Sequence, residues 1–140
     1  MAYILMIDDN PQNHKNIGRT LHYRSNHEIE FAIDSADAIE KMATRRPDII
    51  LLDLFIPGMN GFDFFELIHN HPATSDIPIV IHTAVPLDEL TDLRLQRLRR
   101  IHRHVGFLQF PIEASELNKV VTDALKKNYD DTRKWTPPKA

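Results

Sequence analysis

The chain has 140 residues, about one domain's length, and with 42% hydrophobic residues it can bury a substantial core. A formal net charge of -3 provides no general attraction to nucleic acid or an anionic membrane, and the absence of cysteine excludes disulfides and thiolate metal sites. The opening MAYILMIDDN lacks a basic leader region and no run approaches the roughly 18 apolar residues of a membrane span, so a cytoplasmic protein is expected.

Short apolar runs alternate with longer segments of helical spacing. YILMI (3–7) is followed by a predicted helix over 11–25, with Pro11 at a first helical position and His14, Ile17 and Leu21 on one face. IEFAI (29–33) precedes a helix over 35–45, where Ala36, Ile39 and Met42 repeat and Ser35 is the candidate N-cap. DIILL (48–52) leads to a helix over 60–70 with Phe64, Leu67 and Ile68 aligned. IPIVI (77–81) leads to a helical segment over 86–104, spaced by Leu87, Leu90, Leu98 and Ile101. VGFLQ (105–109) precedes a last helix over 113–127, with Leu117, Val120, Val121, Ala124 and Leu125 as its stripe and Ser115 as a candidate cap.

The runs at 3–7, 49–52 and 77–81 are nearly continuous in apolar residues, as in strands covered on both faces. Five such strand–helix units predict an α/β fold, a flavodoxin-like (βα)5 doubly wound parallel sheet of strand order 2-1-3-4-5. The expected domain is 1–127; the polar tail NYDDTRKWTPPKA (128–140) is too short for a second domain.

In such sheets ligands bind outside the carboxyl ends of the strands. The first strand runs into Asp8-Asp9, the third into Asp53, the fourth into Thr83 and the fifth into Phe110-Pro111. Each feature alone has a plainer explanation: an Asp-Asp pair after a strand is commonly a loop or helix cap, Asp53 a turn residue, Thr83 a cap. Together they place three carboxylates and a hydroxyl at one rim. Carboxylates so close repel each other, and a divalent cation removes the conflict. Oxygen-only ligands with no His or Cys partner favour a hard ion, Mg2+ first, and Mg2+ accepts a phosphate oxygen. Asp53 can then attack phosphorus to give an aspartyl phosphate, with Asp8 and Asp9 holding the metal and Thr83 donating to the transferred group.

ILMIDDNP, PDIILLDLFIPGMNGFDFFELI and IPIVIHTA resemble the response-regulator receiver domain of two-component signalling, over about residues 3 to 127. The resemblance implies Asp53 as phosphoacceptor and Asp8, Asp9 and the backbone carbonyl of Phe55 as Mg2+ ligands. It also implies Thr83 as switch hydroxyl and Phe107 as switching aromatic, with a sensor histidine kinase or phosphotransfer protein as donor. One position departs: the family's fifth strand ends in lysine-proline, and Phe110 stands at the lysine position. Phenylalanine supplies burial but no charge, so the phosphorylated state loses a cationic contact. The ring either packs toward the last helix or lies over the acidic mouth. The family also implies a cis Phe110–Pro111 peptide.

The segment LDELTDLRLQRLRRIHRHV (87–105) carries Asp88, Glu89 and Asp92 in its first half and Arg94, Arg97, Arg99, Arg100 and Arg103 in its second. Acids at a helix start and bases at its end complement the helix dipole. Alternatively Arg94, Arg97, Arg100 and Arg103 face an acidic partner, because the resembled family meets its targets, or a second receiver, through the helix before the fifth strand, that strand and the helix after it. The eight histidines are scattered and are assigned to surface or caps, with no metal set among them.

The leading expectation is a single-domain response regulator that takes up phosphate on Asp53 and signals by protein contacts. It would not be a turnover enzyme, and would bind neither nucleic acid nor membrane. The alternative is a pseudo-receiver, a phosphorylation-independent interaction domain, which Phe110 favours and the intact Asp8, Asp9, Asp53 and Thr83 set opposes. An aspartyl-nucleophile phosphatase is disfavoured because its nucleophile would belong to the first strand, and flavin binding because the first loop lacks a hydroxyl- and glycine-rich phosphate cradle.

Overall fold

A computed structural model describes residues 2–24, 27–54, 56, 58–59, 61–83, 105–109 and 113–126. In chain order the elements are β1 (Tyr3–Ile7), α1 (Pro11–Arg24), β2 (Glu28–Ala32), α2 (Ser35–Thr44), β3 (Ile49–Asp53), α3 (Gly61–Asn70), β4 (Ile79–Thr83), β5 (Val105–Gln109) and α4 (Ala114–Leu125). The five strands form one sheet in the order β2-β1-β3-β4-β5, and every described pairing is parallel. That is the predicted topology.

The alternation of side chains along each strand divides the core in two. Ile4, Met6, Ile49, Leu51 and Val80 point to one face, where Ile17 and Leu21 of α1 and Leu117, Val121 and Ala124 of α4 cover them. Leu5, Ile7, Ile50, Leu52, Ile79 and Ile81 point to the other, against Ala38 of α2 and Phe62, Phe64, Phe65 and Ile68 of α3. Both faces are covered, which is why β1 and β3 read as unbroken apolar runs.

Several local expectations change. Strand β4 starts two residues later than the apolar run 77–81, at Ile79, and ends at Thr83 as expected. Pro78 has no N–H to give to a ladder, and its carbonyl accepts from Ile50 at 3.0 Å at the strand's entry. Strand β2 is Glu28–Ala32, and Ile33 is left exposed. The N-cap of α2 is Asp34, whose side chain accepts from Asp37 N at 2.7 Å; Ser35 is the first helical residue. The buried face of α2 is Ser35 and Ala38, with Met42 beside the core, whereas Ala36 and Ile39 are exposed. Leu67 of α3 is exposed as well. Glu113 rather than Ser115 stands at the N-cap of α4, and makes no side-chain capping bond. The predicted segment 86–104, the tail 128–140 and the Phe110–Pro111 peptide lie outside the described residues.

Candidate functional site

The site forms at the carboxyl ends of β1, β3 and β4. In the paired register Ile7 lies beside Leu52, and Asp53 beside His82. Asp8 follows β1 and is fully buried; its N–H donates to Ala32 O at 3.0 Å, tying the strand end to β2. Its Oδ1 accepts from Asn10 N at 2.8 Å and its Oδ2 from Asn13 Nδ2 at 2.9 Å. Asn10 also starts α1: its Oδ1 accepts from Gln12 N at 2.9 Å. The start of α1 therefore grips the Asp8 carboxylate while leaving each oxygen lone-pair capacity.

Asp53 is half-buried at the end of β3. The segment after it is held by α3. Gly61 N donates to Leu54 O at 2.9 Å, and a Cβ at Gly61 would lie 2.4 Å from Leu54 Cα and 2.7 Å from Asp53 O. Only glycine lets the helix start this close to the backbone that presents Asp53. Gly58, at φ 81, supplies the left-handed turn between them, and Met59 N donates to Ser35 Oγ at 3.2 Å, joining this loop to α2.

Ligand atoms of Asp8, Asp53 and His82 all lie within 4.8 Å of one another. This corrects the assignment of every histidine to surface or caps with no metal set: His82 is 1% exposed. The sequence carried a signal for it. Continuing the alternation of β4 from Val80 puts His82 on the same face as Leu51 and Asp53, and as Met6 and Asp8. Burial pushes the His82 imidazole down to about 3, the neighbouring His14 pushes in the same direction, and a hydrogen bond with the Leu51 backbone opposes them. The ring is neutral, so its 3.8 Å approach from Nδ1 to Asp8 Oδ2 is not an ion pair. His14 stacks on Phe31 with centroids 4.6 Å apart and donates from Nε2 to Asp8 O.

The other predicted site residues divide as follows. Asp9 is adjacent to Asp8 and exposed, but its carboxylate is not in the three-residue cluster. Thr83 closes β4 beside Gln109 of β5, and Phe107 of β5 pairs with Ile81 of β4; for both Thr83 and Phe107 the backbone alone is described. Phe55, Phe110, Arg94, Arg97, Arg100 and Arg103 lie outside the described residues.

The donors suit a divalent cation. Two carboxylates and an imidazole that converge from three strand ends make a donor set that a divalent cation can use. Among the described residues no helix is long and apolar enough to cross a membrane.

Residues 4–122 match the response regulator receiver domain family. Protein PilH of Pseudomonas aeruginosa is 32% identical over 125 residues, covering 89% of this chain and 98% of that protein. Response regulator PleD of Caulobacter vibrioides is 37% identical over 84 residues, which are 60% of this chain and 18% of PleD. Among solved structures, chemotaxis protein CheY4 of Vibrio cholerae superposes with a TM-score of 0.75 at 25% identity, covering 89% of this chain and 98% of CheY4. A response regulator from Chloroflexus aurantiacus gives a TM-score of 0.75 at 22% identity over 89% of this chain and 98% of its own, a likeness of fold. The chain belongs to the response regulator receiver domain family of two-component signalling.

Proposed function

We propose that Asp53 is the phosphoacceptor of this receiver and that Asp8, Asp9, Asp53 and the Phe55 carbonyl hold Mg2+. The observation that supports this reading is the meeting of Asp8 and Asp53, from different strands, with ligand atoms within 4.8 Å. Receivers typically bind Mg2+ through such acids, and when bound the ion neutralises charge on the transferring phosphoryl group.

The chain's own residues do the rest. Asp53, presented by β3 and held from behind by Gly61, is the nucleophile. One carboxylate oxygen forms the O–P bond while the P–N bond to a phosphohistidine of a sensor kinase or phosphotransfer protein breaks. The departing imidazole takes up a proton. Asp8, fixed by Asn10 and Asn13, keeps its oxygens aimed at the rim. Thr83, at the end of the neighbouring strand, donates its hydroxyl to the phosphoryl oxygen as the switch residue, and Phe107 in β5 follows it.

The reaction is one self-phosphotransfer followed by hydrolysis, without turnover of a free substrate. Residues 1–127 form the receiver and 128–140 a tail. Signalling runs to a protein target, or to a second copy, through the arginine-bearing segment, β5 and α4. The protein works in the cytoplasm. Incubation with acetyl phosphate, with and without Mg2+, followed by intact-mass measurement tests this. A gain of one phosphoryl group that needs Mg2+ and disappears in Asp53→Asn is expected. Binding of a target with no labelling under any condition would establish the pseudo-receiver reading instead.

A further inference from the structure

We propose that His82 is a selectivity-determining ligand of the cation site: its ring joins the carboxylates of Asp8 and Asp53, so the site prefers a borderline ion such as Mn2+ to Mg2+. This rests on the reading of the rim as a cation site and adds a nitrogen donor to it.

Geometry is the first support. Two atoms that each sit roughly 2.1 Å from a common ion lie between about 3.0 and 4.2 Å apart, in cis and trans positions respectively. The 3.8 Å between His82 Nδ1 and Asp8 Oδ2 is long for a direct hydrogen bond but falls inside that range. The outer limit of 4.8 Å for the cluster exceeds the range by a few tenths of an ångström, within the reach of a rotamer adjustment at half-buried Asp53.

Topology is the second. Met6, Leu51 and Val80 share one core face, and Asp8, Asp53 and His82 stand two residues further along the same three chain segments. The imidazole therefore continues the side-chain column that carries the acids. The third is chemical. An aliphatic residue in this column would pack without the desolvation cost of a buried imidazole. A nitrogen beside two carboxylates changes which ion fits. Mg2+ takes oxygen ligands and binds imidazole poorly, whereas Mn2+ and Co2+ accept a mixed set and bind such sites progressively more tightly.

The test uses the full chain stripped of metal with a chelator. Titration calorimetry with Mn2+ and with Mg2+ is expected to give at least about tenfold tighter binding of Mn2+. In His82→Leu the Mn2+ affinity is expected to fall about tenfold or more, with the Mg2+ affinity changed by less than about twofold. Pulsed electron paramagnetic resonance of the Mn2+-loaded natural chain is expected to show coupling to a nitrogen nucleus, lost in His82→Leu. That signal needs no variant, so a folding failure of His82→Leu leaves it decisive, and His82→Gln offers a second substitution of similar size. Absence of nitrogen coupling, or equal effects on the two ions, overturns the proposal and leaves His82 a packing residue. If Asp53→Asn leaves both affinities unchanged, the acidic mouth is not a cation site and the proposal falls with that reading.

Discussion

At the scale of single residues, the carboxylates of Asp8 and Asp53 lie close together. Like charges with oxygens within 4.8 Å oppose each other when no cation lies between them. In chelated buffer Asp53→Asn is therefore expected to raise folding stability by about 1 kcal/mol, read from urea denaturation. The same substitution removes phosphoryl uptake, so stability and labelling move in opposite directions. His82 adds a pH dependence. Its imidazole titrates near 6.5 in the unfolded chain and near 3 in the folded one. Between those values the unfolded chain binds a proton that the folded chain refuses, so stability rises with pH across that window and is lost on acidification from about 6.5 downward. Metal-free His82→Leu should show a flatter urea midpoint between pH 6.5 and 4 than the natural protein. An identical slope would mean that other groups govern acid sensitivity.

At the scale of elements, the contact between α3 and the end of β3 has the sharpest consequence. A methyl group at Gly61 would meet Leu54 Cα at 2.4 Å, so Gly61→Ala must push the helix start away from the loop that presents Asp53. The expected loss is about 1–3 kcal/mol of stability, together with slower labelling by acetyl phosphate. Phe64, fully buried between α3 and the sheet, is expected to lose about 3–5 kcal/mol on replacement by alanine, with Asp53 chemistry intact in the fraction that remains folded. The strands were readable where both faces are apolar, as in β1 and β3. The carboxyl end of β4 at Thr83 was legible as well, but His82 was not, because a polar residue beside the strand's end was assigned to the surface with the other histidines instead of following the alternation on from Val80 to the face of Asp53. The acids were legible because each follows an apolar run directly. The α2 cap and stripe were misread because Asp34 competes with Ser35 for the cap and the small Ala38, not Ile39, meets the sheet.

At the scale of the molecule, a ligand that binds only the folded chain stabilises it by mass action. Adding a divalent cation at about 100 times its dissociation constant should contribute about 2.7 kcal/mol, seen as a rise in melting temperature that a chelator reverses. The division of the interior by the sheet has another outcome. Leu21 sits in the compartment beneath α1 and α4, and Phe64 in the one beneath α3. The backbone ladder stands between them like a septum, and neither side chain belongs to the other's cluster. Truncating both to alanine should therefore cost the sum of the separate penalties to within about 0.5 kcal/mol. Each compartment can then accumulate substitutions independently, as two half-interiors with separate tolerances that share a single wall.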